Sequence, residues 1–321
     1  MAGRIVVTGR VPEPALDVLR EAGELDAHMQ ETALSVEELH AAIAGADAVV
    51  TLLNDRVDEA FLDAAGPQLR VVANVAVGYN NIDVAACAAR GVLVTNTPGV
   101  LTDATADIAM ALILMVTRRL GEGERVIRSR VGWRWHMHYM LGTGLQGKTL
   151  GIVGLGQIGT ATARRARAFG MAIAYSGRRR ADGAVEAELD ARFTDFDELL
   201  ATSDVVSLHC PLTPETTHLI TAARLRQMRS DAFLVNTTRG PVVDEAALAE
   251  ALGSGVIAGA GLDVFENEPE VHPGLLDLEN AVLIPHLGSA TIETRSAMAV
   301  LAARNAAAVL SGGEPLTPVL A

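Results

Sequence analysis

The chain has 321 residues, 50% of them hydrophobic, and 39 acidic against 26 Lys and Arg side chains give a formal net charge of -13 at pH 7. That length suggests about two domains, each with enough apolar material for its own core, while the acidic balance excludes a general binder of nucleic-acid backbones or anionic membranes, which would need a basic face. Two cysteines, Cys87 and Cys210, can supply neither a disulfide framework nor a zinc knuckle, so a reducing compartment is expected.

The N-terminal run Arg-Ile-Val-Val-Thr reads as a first strand rather than a signal peptide. The longest apolar helix, residues 108–116, is too short to span a bilayer. A cytoplasmic protein without membrane or nucleic-acid partners is the expectation.

Apolar runs at 4–8, 48–53, 70–75 and 92–96 alternate with helical patterns at 15–22, 36–44 and 84–90. Such alternation predicts a parallel sheet with crossover helices, closed by Pro98 and Gly99. Residues 102–128 then form one long helical pattern with an apolar body and a charged distal half, followed by a loop at 132–147 that holds Trp133 and Trp135.

A different signal follows at 149–159, Thr-Leu-Gly-Ile-Val-Gly-Leu-Gly-Gln-Ile-Gly. A buried strand runs into a turn whose Gly154, Gly156 and Gly159 have the G-x-G-x-x-G spacing, with Gln157 and Ile158 between the last two. Gly154 permits the turn, Gly156 lets a pyrophosphate approach the backbone, and Gly159 lets the helix pack on the strand. The helix N-terminus then offers N–H groups and a partial positive charge to the phosphates. A second strand at 171–175 completes a βαβ unit; further strands are predicted at 204–210, 232–237, 258–264 and 281–285, with helices at 221–228 and 244–254. The last helix, 291–310, is expected to return to the first domain.

Three strand-end residues stand out: Arg239 in Asn-Thr-Thr-Arg-Gly, Glu268 in Asp-Val-Phe-Glu-Asn-Glu-Pro, and His286 in Pro-His-Leu-Gly-Ser-Ala-Thr. In this combination and order, downstream of the glycine turn, the motifs resemble the D-isomer-specific 2-hydroxyacid dehydrogenase family over nearly the whole chain; the short chain, the Ser-Gly-Arg-Arg run at 176–179 and the Leu-Leu-Asn-Asp-Arg and Val-Gly-Tyr segments resemble, within it, the NADP-dependent glyoxylate/hydroxypyruvate reductases. The resemblance implies an α/β protein of two doubly wound parallel-sheet domains: a discontinuous flavodoxin-like substrate domain (1–98 plus 289–321) and a Rossmann coenzyme domain (99–288).

It also implies that Arg239, Glu268 and His286 are catalytic. Reducing a 2-oxo acid requires a cation for the carboxylate and a proton donor at the carbonyl while hydride arrives from a nicotinamide. Arg239 suits the carboxylate because a guanidinium stays charged and grips two acceptors. His286 suits the proton, and Glu268 would orient it and favour its charged form.

Val77 and Gly78, in Val-Ala-Val-Gly-Tyr, resemble the family's substrate loop and would offer main-chain N–H groups to the carboxylate; a glycine turn before a helix fits the same residues. Leu53 matches a pocket-lining position, although it reads equally as core. Asp263 would contact the nicotinamide carboxamide, Gly288 and Ser289 flank its ring, and Cys210, Pro211 and Thr237 end strands beside the nucleotide. Thr105 matches a phosphate or nicotinamide contact, or satisfies backbone groups early in its helix.

The second strand of the glycine-turn unit ends in Ser176-Gly177-Arg178-Arg179-Arg180, where an NAD enzyme carries an acid for the ribose 2′-OH. Guanidinium groups attract a 2′-phosphate, so Ser176, Arg178 and Arg179 predict NADP. His136 and His138 could approach one another, but no third metal ligand lies near them; the resemblance makes their loop an arm toward a partner subunit of a homodimer, with a departure from the family's Gly-x-Trp-x-x-Trp-x-Pro pattern.

These expectations combine into NADPH-dependent reduction of glyoxylate or hydroxypyruvate, with a small 2-oxo acid as partner molecule and no metal. The alternative within the same chemistry is an NAD-dependent dehydrogenase of D-lactate, 3-phosphoglycerate or phosphite. A corepressor-like nucleotide sensor shares the fold, but nothing in the sequence marks a peptide groove.

Overall fold

The computed structural model of the chain describes residues 3–320. They form two compact units, one containing the residues up to Leu101 together with those from Ala290 on, the other Thr102–Ser289.

The first unit runs β1 (Gly3–Val7), α1 (Glu13–Ala22), β2 (Gly23–Ala27), α2 (Val36–Ile43), β3 (Ala48–Thr51), α3 (Glu59–Ala65), β4 (Val71–Asn74), α4 (Val84–Ala89) and β5 (Leu93–Thr95). Its five strands pair in the order β2-β1-β3-β4-β5, every pairing parallel. This is the flavodoxin-like order of a doubly wound sheet. All residues of β3 and β4 are buried, because helices cover both faces and leave no solvent side for alternation.

The second unit contains α5 (Thr102–Thr117), α6 (Leu120–Arg128), β6 (Thr149–Val153), α7 (Gln157–Ala168), β7 (Ala172–Ser176), α8 (Gly183–Leu189), β8 (Ala191–Phe193), α9 (Phe196–Thr202), β9 (Val205–Leu208), α10 (Ala222–Leu225), β10 (Phe233–Asn236), α11 (Glu245–Gly253), β11 (Gly259–Leu262), α12 (Pro273–Leu276) and β12 (Ala281–Leu283). Its seven strands lie in the order β12-β11-β10-β9-β6-β7-β8, again all parallel. The order reverses between β9 and β6, the crevice where such sheets place ligands. The chain then re-enters the first unit as α13 (Ile292–Leu310), whose Ala299, Ala302, Ala303, Ala306 and Val309 share a core with Leu16 and Leu19 of α1.

The α/β class and the parallel sheets match the sequence expectation. Residues 102–128 do not form one helix. The chain breaks between α5 and α6, where Arg119 adopts left-handed backbone (φ 54). A tertiary contact meets the chain there: Thr143 N–H donates to the Thr117 carbonyl at 2.8 Å, taking an acceptor that a continuing helix would use.

Candidate active site

The glycine turn joins β6 to α7. Gly154 has φ 97, and a Cβ there would meet the backbone of His209 and Cys210 at 3.0 Å, so only glycine fits between these two strand ends. Its N–H donates to Ser176 O at 2.8 Å. Gly156 caps α7, and a Cβ placed on it would meet nothing within 4 Å. A Cβ on Gly159 would instead lie 2.4 Å from Gly154 O, which fixes how closely α7 lies against β6. Gln157 and Ile158 form the first turn of α7, so the N–H groups at this end point out of the helix toward the crevice.

The other candidates in this unit follow consecutive strands of the same sheet. His209 and Cys210 come after β9, Thr237 after β10, Asp263 after β11 and His286 after β12; Pro211 follows Cys210 and is exposed. Thr237 Oγ1 and His209 Nδ1 are buried without a hydrogen-bond partner among the described residues. Burial lowers His209 to about 4, keeping its ring neutral, and raises the Cys210 thiol to about 11, so that it stays protonated. Ser176 is buried at the end of β7.

Asp263 is almost wholly buried; burial pushes its carboxyl up, opposed by N–H donors of Leu287 (2.5 Å) and Gly288 (2.8 Å). Thr105 Oγ1, on α5, donates to Gly288 O at 3.1 Å. Asp263, Thr105 and Gly288 therefore form one hydrogen-bonded corner, and Ser289 comes next in the chain.

His286 sits in left-handed backbone (φ 51), its N–H bonded to Asp263 O at 2.9 Å. Its Nδ1 lies 2.8 Å from Glu268 Oε2, and the other carboxylate oxygen of Glu268 accepts from Phe265 N–H at 3.0 Å. Burial alone would raise the Glu268 carboxyl. The hydrogen bond and charge of His286, the Phe265 N–H and the charge of Arg239 outweigh burial and hold it below the usual range. With Nδ1 engaged, Nε2 is the ring nitrogen left to exchange a proton with a ligand. Arg239 follows Thr238 after β10 and donates to Thr238 O at 2.8 Å; burial draws its guanidinium down, against the opposing charge of Glu268, and it remains a cation.

The Arg-rich end of β7 divides by role. Arg180 is held by Glu186 at 2.8 Å, whereas Arg178 and Arg179 are exposed and make no hydrogen bond or salt bridge among the described residues. The nearby charge of Arg178 helps to hold Glu215 below the carboxylate range, after hydrogen bonds from the Thr213 side chain and the backbone.

Leu53, Val77 and Gly78 belong to the first unit: Leu53 lies in the turn after β3, and Val77 and Gly78 in the loop after β4, all three partly exposed. No group of His, Cys, Asp or Glu able to hold a metal occurs among the described residues.

Residues 110–288 match the profile of the family described as D-isomer specific 2-hydroxyacid dehydrogenase, NAD binding domain. The chain belongs to this family. This 2-hydroxyacid dehydrogenase is 48% identical to a glyoxylate reductase of Thermococcus onnurineus, over 99% of the chain and 96% of that relative. Among solved structures it is similar to a protein of Thermus thermophilus (45% identity, TM-score 0.92, covering 99% of this chain and 100% of that one). It is also similar to an NADPH-dependent glyoxylate/hydroxypyruvate reductase of Sinorhizobium meliloti, solved with NADP and malonate (36% identity, TM-score 0.86, 99% and 97% covered).

Sequence reasoning missed a brace behind the Arg239 and Glu268 loops of this dehydrogenase. His218 N–H donates to Pro241 O at 2.7 Å, its ring Nε2 pairs with Glu266 Oε1, and Glu266 Oε2 accepts from Glu245 N–H at 3.2 Å. A polar His in a Thr-rich loop carries no spacing signal for this; only its contacts reveal it.

Proposed function

We propose that the chain catalyses NADPH-dependent reduction of glyoxylate or hydroxypyruvate to the D-2-hydroxy acid. The observation that carries this reading is the His286–Glu268 pair beside Arg239, at the same strand ends that hold the Asp263 corner. The dinucleotide fits the glycine turn: Gly156 leaves its side open, α7 presents its N-terminus, and the buried, unpaired Thr237 Oγ1 and His209 Nδ1 offer polar partners at adjoining strand ends.

When bound, reduced nicotinamide supplies hydride to the carbonyl carbon. Arg239 grips the substrate carboxylate and orients the carbonyl. His286, its Nδ1 held by Glu268, delivers a proton from Nε2 to the carbonyl oxygen, so that one hydride and one proton convert the ketone or aldehyde to an alcohol. Asp263 positions the carboxamide, Thr105, Gly288 and Ser289 shape the ring's surroundings, and Cys210 and Pro211 wall the nucleotide. Arg178 and Arg179, with the Ser176 hydroxyl, take the 2′-phosphate; Val77 and Gly78 bind the substrate carboxylate from the backbone, and Leu53 limits substrate size.

The relatives named glyoxylate reductase and the solved NADPH-dependent reductase support this choice of substrate and cofactor. A cytoplasmic homodimer completes the reading; the exposed Val131, Trp133, Trp135 and Met137 are its proposed contact. Steady-state assays of glyoxylate, hydroxypyruvate, pyruvate and 2-oxoisocaproate with NADPH and NADH test the function. Highest kcat/KM with glyoxylate or hydroxypyruvate and NADPH is expected; preference for NADH would overturn the cofactor reading.

A further inference from the structure

Between β9 and α10 the chain runs alongside the segment that follows Arg239. His218 N–H donates to Pro241 O at 2.7 Å, Ile220 N–H to Val242 O at 3.0 Å, and Asp244 N–H to Ile220 O at 3.0 Å. His218 enters this strip in left-handed backbone (φ 47), a conformation that a residue with a side chain adopts at some cost. Its two ends serve different loops. The main chain is tied to the Arg239 loop through Pro241, while ring Nε2 pairs with Glu266 Oε1, two residues before Glu268.

Glu266 is held from a second side. Its Oε2 accepts from Glu245 N–H, in the first turn of α11, at 3.2 Å. The Glu245 carboxyl is itself buried; burial pushes it up, opposed by the Glu266 main-chain N–H, so the two residues clasp each other. At the far end of the same segment Glu268 Oε1 folds back onto Phe265 N–H at 3.0 Å, and its Oε2 meets His286 Nδ1 at 2.8 Å. Pinned at both carboxylates, the segment 265–268 has little freedom to turn Glu268 away from His286. The hydrogen bond with Glu266 raises the His218 ring above its usual value, more than burial lowers it, and the charges of Glu266 and Asp244 add to the rise. With side chains 45% and 23% exposed, however, the His218–Glu266 pair contributes little to stability. What it supplies is direction.

We propose that His218 and Glu266 are positioning residues for the proton transfer: they hold the segment after β11 so that Glu268 stays against His286 Nδ1, and they act through Glu268 rather than on the substrate. This rests on the function proposed above for the reaction that it serves, while the brace itself rests on its contacts. Replacing either side chain cuts only the Glu268 side of the brace, because the His218 N–H stays on Pro241 and keeps the Arg239 loop in place.

The test combines kinetics with glyoxylate and NADPH, melting curves, and amide exchange of Phe265 N–H followed by NMR on the full chain. His218→Ala and Glu266→Ala are expected to lower kcat about tenfold, with KM for glyoxylate and for NADPH changed no more than about twofold. Melting temperatures should fall by no more than about 3 °C. Glu266→Gln keeps an acceptor for Glu245 N–H but loses the charge facing His218, and should act in the same direction with a smaller loss. His218→Gln keeps a donor for Glu266 and should recover kcat to within about threefold of wild type. Phe265 N–H, which reports on Glu268 and needs no turnover, should exchange at least about tenfold faster in both alanine variants, while the amides of β11 keep their rates. Unchanged Phe265 exchange in the folded Glu266 variants overturns the proposal, as does a rise in KM with kcat kept, or a His218→Gln enzyme as slow as His218→Ala. If Phe265 exchange quickens as expected but the wild type turns over no 2-oxo acid, the brace stands and the proposed activity falls.

Discussion

Gly240 lies so near Phe265 that a Cβ on it would sit 1.8 Å from the Phe265 carbonyl carbon. The loop bearing Arg239 is thus stacked, backbone on backbone, against the loop bearing Glu268. No side chain can yield to relieve that clash. Gly240→Ala is expected to destabilise the protein by about 3 kcal/mol or more, since overpacking against rigid backbone falls at the severe end of such changes. Chemical denaturation measures it; a cost under about 1 kcal/mol would show that the two loops can separate.

Replacing His286 with Asn should lower kcat by roughly two to four orders of magnitude, the usual worth of a positioned general acid. NADPH binding, followed by nicotinamide fluorescence, should persist. Substantial remaining turnover would assign the proton to another group.

Glu268→Gln removes the charge facing His286 Nδ1 while keeping an oxygen for Phe265 N–H. We expect kcat to fall about ten- to hundredfold, because the imidazole loses the charged partner that orients it. The carboxyl of Glu268 is held below its ordinary 4.5 in the folded protein, so the stability that it contributes is present at neutral pH and is lost as pH falls through and below about that value. Melting temperatures of wild type and variant should therefore converge in acid. A gap that widens in acid would reverse the assigned sign.

Arg178→Ala combined with Arg179→Ala should raise KM for NADPH at least about tenfold and leave KM for NADH nearly unchanged, since in the proposed binding mode the lost guanidinium groups would meet only the 2′-phosphate. Glu215→Gln should act oppositely, because it removes an acid whose charge faces Arg178. Parallel loss with both cofactors in the double variant would place the arginines elsewhere.

Much of the fold is legible because β1, β3, β4 and the central strands of the second sheet are buried apolar runs separated by helices. The strands that escaped notice, β2 with Gly-Glu-Leu-Asp-Ala and β8 with Ala-Arg-Phe, are edge strands, each paired on one side and carrying polar residues toward solvent. The break falls at Arg119 rather than at Gly121 or Gly123, which lie inside α6, and it coincides with the Thr143 segment packing on Thr117. In the candidate site, the strand-end motifs name Glu268 and His286, but the brace of His218 is built from contacts formed only when distant segments meet.

The split of the first unit around the second also bears on biosynthesis. The core that α1 shares with α13 cannot close until residues 292–310 have left the ribosome, whereas all seven strands of the second unit emerge before them. The nucleotide half is accordingly free to fold during translation, while the N-terminal half waits, its apolar helix face uncovered, for α13 to emerge.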